Sequence, residues 1–270
     1  MGSTIRGYLH NSAMGFWAPI EGMLSHRSLV RMLIRRDIVE RTSGTLLGWL
    51  WLLLEPGLQV LLLWFLLDFV LQVRFPGMVS FLEYFLVGMV PWLMMSEVMT
   101  SSLTVLSRYG PLYRRTVFPL VLLPVLPFVL SGLVYGVVYT VVVFLLQGAQ
   151  ASLQAPFVIL GLLVWLLPVA YGLSVIGLFL KDSLQFVRFL LTFIMYLTPI
   201  LYMPEMLPDL LRSWQVINPF ADLMAMIHGL LQDMPVTSGN VIRPLAIWLV
   251  LLGPAWVLFR RSEPHVREAL

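Results

Sequence analysis

Two carboxylates set among apolar residues are the first candidates for chemistry. Glu55 stands beside Pro56, with Trp49, Trp51 and Trp64 around it, and Glu97 follows Pro91-Trp92. A carboxylate at mid-bilayer costs ~2.5–3.5 kcal/mol on insertion scales, so each must face a cavity or a partner. Pro56 removes the backbone hydrogen bond to residue 52 and kinks its helix. Glu55 therefore serves either a pathway through the protein or a helix break. The two acids read as isolated, because no His or Lys shares their segments to complete a proton relay. Asp68 falls near the outer end of its segment, within reach of water. Among the aromatic residues, Tyr135 and Tyr139 lie one helical turn apart, and Tyr171, Tyr196 and Tyr202 follow downstream. Such rings can stack on the C–H faces of sugars while their tips meet hydroxyls. They equally suit the aromatic belt of a membrane protein.

Other chemistries are excluded by what the chain lacks. With no cysteine there is no disulfide, thiolate metal site or redox pair. The only lysine is Lys181, preceded by Phe179 and Leu180, so no G-x-x-x-x-G-K-[ST] phosphate loop exists and any nucleotide-driven work needs another chain. His10, His26, His228 and His265 are scattered, with no metal-ligand spacing. The basic pI of about 9.4 comes from arginines placed to suit membrane topology, not nucleic acid binding. The stretch Met14–Ile20 is too short, and too broken by Pro19, for a cleaved signal peptide.

The elements that position these residues follow from composition. The 270 residues are 59% apolar and 11% charged, less than half the roughly 25% charged residues of a soluble domain. From Thr116 to Leu180, 65 residues pass without Asp, Glu, Lys or Arg. Since a spanning helix needs ~20 apolar residues, the chain reads as an all-α membrane protein. Six transmembrane helices are expected, near Leu46–Val70, Tyr84–Leu106, Val117–Leu146, Pro156–Leu180, Phe189–Tyr202 and Val241–Phe259. With the N-terminus inside, fourteen basic residues fall in cytoplasmic segments and three, Arg74, Arg212 and Arg243, outside. That bias places both termini in the cytoplasm. The expected organisation is a cytoplasmic N-terminal segment over 1–45, a transmembrane domain over 46–260 and a cytoplasmic tail over 261–270.

Three segments outside the spans have their own character. Leu29, Val30, Leu33, Ile34 and Ile38 recur at helical spacing beside the line Arg27, Arg31, Arg35. That predicts an amphipathic helix on the cytoplasmic surface with its arginines toward anionic headgroups. Asp37 interrupts its apolar stripe. The basic loop Ser107–Thr116, with Arg108, Tyr109, Gly110-Pro111, Tyr113, Arg114 and Arg115, is either a topogenic charge cluster or a dock for a soluble partner. Between the fifth and sixth spans, Pro204, Pro208 and Pro219 break an apolar stretch into two short helices, Leu207–Trp214 and Phe220–Leu231, with Asn218-Pro219 starting the second. Broken helices at membrane depth persist only when buried or lining a cavity, which favours a re-entrant helical hairpin at an outer mouth. Gly132-x-x-x-Gly136 permits close helix packing.

In order along the chain, Arg36-Asp37, Arg41, Gly44, Leu47-Gly48-Trp49-Leu50-Trp51 and Leu54-Glu55-Pro56 resemble the opening motif of the type-2 ABC export permeases for lipid-linked polysaccharides such as O-antigen, capsule and teichoic acid. Tyr113–Pro119, Thr198–Tyr202 and Ile217–Phe220 resemble later segments of that family, and the likeness covers roughly residues 29–260. The resemblance implies a homodimer of permeases, each docked to a cytoplasmic ABC ATPase that binds ATP and Mg, with no cofactor, metal or catalytic residue in this chain. It implies a coupling loop of Arg108, Tyr109, Tyr113, Arg114 and Arg115, and an interface helix and cytoplasmic gate of Arg27, Arg31, Arg35, Arg36 and Arg41. A periplasmic gate would comprise Pro199, Pro204, Pro208, Trp214, Asn218 and Pro219. The substrate, a lipid-linked polysaccharide, would pass a translocation path of Trp49, Trp51, Glu55, Trp92, Glu97, Tyr135, Tyr139, Tyr171, Tyr196 and Tyr202. These expectations locate a transport subunit in the bacterial inner membrane, with membrane lipids but no nucleic acid as a partner. The rivals are an ion-coupled secondary transporter working through Glu55 and Glu97, an ABC-2 exporter of lipid or small-molecule cargo, and a scaffold without cargo.

Overall fold

A computed structural model describes residues 25–73, 75, 80–113, 119–208, 210, 212 and 215–269. They form α1 (Arg27–Thr42), α2 (Trp51–Trp64), α3 (Phe81–Tyr113), α4 (Leu126–Gln147), α5 (Ala149–Ser152), α6 (Ala155–Phe179), α7 (Ser183–Leu197), α8 (Pro219–Gln232) and α9 (Ser238–Ala269), with no strand among the described residues. Five helical stretches among them are long and apolar enough to cross a membrane: Gly48–Val70, Phe81–Gly110, Leu120–Gln147, Ala149–Phe179 and Ser238–Glu268. These overlap the first, second, third, fourth and sixth expected spans.

The expected fifth span, Phe189–Tyr202, takes another form. Its place is held by α7, 15 residues long, which begins earlier and stops at Leu197. Thr198 precedes Pro199, and proline's ring pushes the residue before it out of helical conformation; Thr198 is extended, with ψ of 136°. At the other end of the chain, α9 continues without a break to Ala269 and buries Val266.

Helix α3 is the central post and packs against α4, α6, α7 and α8. Its approach to α6 is backbone to backbone: a Cβ at Gly177 would lie 1.9 Å from the Leu103 carbonyl oxygen. Gly132 lets α4 close on α6, where a Cβ would come within 2.8 Å of the Leu163 side chain. Against this packed centre the first span is peripheral. Its helix α2 is preceded by a 3-10 turn at Gly48–Leu50 and followed by a π-helical stretch at Phe65–Val70, and none of its central window is buried.

The apolar core divides in two. One part gathers α3, α4, α6, α7 and α8 around Phe85, Met94, Tyr139, Leu166 and Met224. The other lies at the α1 end, where Val30 and Leu33 meet Leu106, Tyr109, the buried 3-10 segment Leu120–Val125, Tyr171, Phe259 and Val266.

Three prolines within these helical segments create a demand that neighbouring helices meet. Each lacks an N–H and leaves the carbonyl one turn earlier without its helical donor. Pro91 frees the Val87 carbonyl, and the Tyr139 hydroxyl donates to it at 3.0 Å. Pro124 frees Val121 in the 3-10 segment, where the Tyr171 hydroxyl donates at 2.7 Å. Pro168 frees Val164, and the Trp248 indole N–H donates from α9 at 2.9 Å. A membrane interior offers no water for such groups, so these donors hold the helices together.

Candidate functional site: a polar cavity over an arginine cluster

Between α2, α3, α4 and α7 lies a cavity of about 580 Å³. Helix α2 contributes Glu55, Pro56 and Gln59, and α3 contributes Trp92, Ser96, Glu97 and Thr100 along one helical face. Ser131 and Tyr135 come from α4, and Arg188 and Thr192, one turn apart, come from α7. Arg41, at the end of α1, forms part of the lining.

Arg41 joins the cavity to the surface helix. Its Nη1 donates to Glu97 Oε1 at 2.6 Å, its Nε to Asp37 Oδ2 at 3.1 Å and its Nη2 to Ser101 Oγ at 3.2 Å. The Ser101 hydroxyl also donates to Glu97 at 2.9 Å. Asp37 accepts on its other oxygen from Arg108 Nη1 at 2.5 Å, extending the chain of charges to the end of α3. A planar guanidinium with five donors can hold several oxygens in this way, which an ammonium could not. Burial works against the Arg41 charge, but Glu97 and then Asp37 hold its pKa above the ordinary guanidinium value.

The opposite end is pinned by hydrogen bonds to the broken segment. Tyr84 donates its hydroxyl to the Pro199 carbonyl at 2.9 Å and stacks on His228 with ring centroids 3.9 Å apart. Asn218 caps α8 by accepting from the Phe220 N–H at 3.1 Å, and its Nδ2 donates to Thr198 Oγ1 at 2.9 Å. Pro219 occupies the first turn of α8, where its missing N–H costs nothing. Pro204 opens a 3-10 turn whose carbonyls, with that of Leu207, receive Arg212. Pro208 lies exposed beyond it. Asp222, buried on α8, pairs with Arg243 and accepts from Asn240 of α9 at 2.8 Å.

Of the residues expected along a path, Glu55, Trp92, Glu97 and Tyr135 meet on one cavity, together with Arg41 of the expected gate. The rest are dispersed. Trp49 and Trp51 are exposed at the entry of the first span, Tyr196 is exposed on α7, and Tyr202 is half-buried near the broken segment. Tyr139 and Tyr171 are in the core with their hydroxyls committed to proline-freed carbonyls, so neither faces the cavity.

Glu97 is not the isolated acid expected; its partner is an arginine 56 residues earlier. Arg27, Arg31 and Arg35 are exposed, whereas Arg36 sits 5.9 Å over the Tyr109 ring and 3.8 Å from Glu40. Tyr109 is buried and packs rather than reaching outward. The Tyr113 side chain, Arg114, Arg115 and Trp214 lie outside the described residues. Sequence reasoning passed over Gln59, Ser96, Thr100, Arg188 and Thr192. Their polarity at one-turn spacing from Glu55, from one another or from Glu97 was the available signal.

Comparisons with known proteins place this architecture. Residues 28–231 match the model of the ABC-2 type transporter family. The chain is 28% identical over 203 residues to the O-antigen export system permease protein RfbA of Klebsiella pneumoniae, covering 73% of this chain and 77% of that one. It is 26% identical over 259 residues to the protein of the same name from Myxococcus xanthus, covering 93% and 98% respectively. With a family match across most of its length and five helices able to cross a bilayer, the chain belongs to the ABC-2 type transporters as a multi-pass protein of the bacterial inner membrane.

Proposed function

We propose that the chain is the membrane subunit of an ATP-driven exporter of a lipid-linked polysaccharide. Two copies form the conduit, and a separate ABC ATPase on the cytoplasmic side binds ATP and Mg and supplies the energy. In this reading α7 completes a sixth crossing, both termini are cytoplasmic, and residues 198–232 form a re-entrant gate on the periplasmic face. The observation that carries the reading is the cavity, lined by polar and apolar side chains alike and joined to the surface helix through Arg41, Asp37 and Arg108. It supplies hydroxyl and amide groups for a glycan next to an ion-pair chain ending where a motor would act. No single residue cages the cargo, as suits a polymer that must keep moving.

The unburied α2 face and the exposed Phe186, Phe189 and Phe193 of α7 are the apolar surface available to a second copy and to a lipid tail. Arg108, Arg114 and Arg115 would flank the ATPase contact, with Arg27, Arg31, Arg35 and Arg36 on the same side. A proton-driven route is disfavoured because both Arg41 and Ser101 donate to Glu97, which is therefore not a lone acid on a path.

The test is deletion and complementation in the source cell. Loss of the chain should abolish surface glycan and accumulate its lipid-linked form inside, and export should follow cellular ATP when an uncoupler collapses the proton gradient. Surface glycan that persists in the deletion strain, or export that stops with the gradient while ATP is maintained, overturns the proposal.

A further inference from the structure

The cavity's charge pattern bears on which glycans pass, an inference that rests on the conduit reading above. Four charged side chains line it, two arginines and two carboxylates, so its formal charge is balanced. Arg41 and Glu97 are bound to each other at 2.6 Å and present little free charge to a passing chain. That leaves Glu55 on α2 and Arg188 on α7, neither of which forms an ion pair with another described residue.

Pores for anions line their narrow parts with arginine or lysine, so that each charge given up to water finds a replacement. Here a polyanion would gain one free cation and confront a free carboxylate within low-dielectric walls, where like charges repel strongly. An uncharged chain meets no such opposition. Its hydroxyls find Gln59, Thr100 and Thr192 along the lining.

We propose that the cavity accepts glycans without net charge and turns away polyanionic ones, with Glu55 setting the sign of that selection. The test places the full chain in phosphatidylcholine nanodiscs and records saturation-transfer NMR with two probes of equal length, neutral maltooctaose and anionic hyaluronan octasaccharide. The Kd obtained by titrating the maltooctaose signal should be about tenfold lower than that for hyaluronan, equivalent to 1.4 kcal/mol of discrimination. Glu55→Lys, which leaves the lining net positive, should bring hyaluronan to within about twofold of maltooctaose on the same scale. Should that variant fail to fold, the near-isosteric Glu55→Gln should narrow the gap in the same direction.

Equal Kd values for both probes on the natural chain, or a gap unmoved by a folded Glu55 variant, overturn the charge selection while the conduit reading stands. If neither probe gives signal above empty nanodiscs, the cavity takes no glycan and both fall together.

Discussion

Removing one oxygen atom tests whether Tyr139 is a structural donor or part of a transport path. Tyr139 is fully buried on α4, and its hydroxyl is 3.0 Å from the Val87 carbonyl that Pro91 deprives of a helical N–H. Tyr139→Phe keeps the ring and its packing but leaves that carbonyl without the hydroxyl. A buried polar group stripped of its partner costs ~1–3 kcal/mol, and hydrogen bonds measured between membrane helices average about 0.6 with a maximum near 1.7. A loss of about 1–1.5 kcal/mol is therefore expected, which in a chain of this size lowers Tm by roughly 2–6 °C. Pro91→Ala restores an amide donor to Val87, so in that background Tyr139→Phe should cost less than about half as much. Thermal unfolding of the four proteins in detergent, followed by tryptophan fluorescence, completes the cycle. Surface glycan from Tyr139→Phe cells grown well below the melting range should be unchanged. Equal losses in both backgrounds would refute the pairing with Pro91. Impaired export without any loss of stability would return Tyr139 to the transport path.

Four further outcomes follow from other contacts. Gly177→Ala forces a methyl group onto the Leu103 carbonyl and should cost at least about 3 kcal/mol, the upper range for overpacking, read as a lowered Tm or lost expression. Asn218→Ala removes both the cap of α8 and the bond to Thr198, and should cost about 1–2 kcal/mol and speed protease cleavage between residues 198 and 218. Glu97→Gln leaves Arg41 with Asp37 as its one carboxylate; about 1–2 kcal/mol of stability should go, and cross-linking from α1 to α3 should become less efficient. Arg41→Lys should fare no better, since one ammonium cannot reproduce the fork.

The long apolar stretches were legible because bilayer thickness imposes a length and a composition that no interior packing can disguise. Thr198-Pro199 announced a break, yet the extent of α7 was missed, because hydropathy continues through Ile200-Leu201-Tyr202 after the backbone has left the helix. The Arg41–Glu97 pair was hidden by 56 residues of separation, although Asp37 in an otherwise apolar stripe signalled that something basic had to meet it. The burial of Tyr139 and Tyr171 was hidden for a similar reason. Proline positions tell which carbonyls need a donor, but which tyrosine reaches them depends on helix register across the bundle.

Helix α3 runs unbroken for 33 residues, a rod of about 50 Å. Arg108 is fastened near one tip and Tyr84 near the other, about 36 Å apart. A rigid body of that reach works as a lever: tilting it by about 5 degrees around its middle shifts each tip by about 2 Å in opposite directions. Such a displacement exceeds what a hydrogen bond tolerates, so a tilt that starts beside Arg108 strains the bond to Pro199 on the far side along with the contacts packed between them.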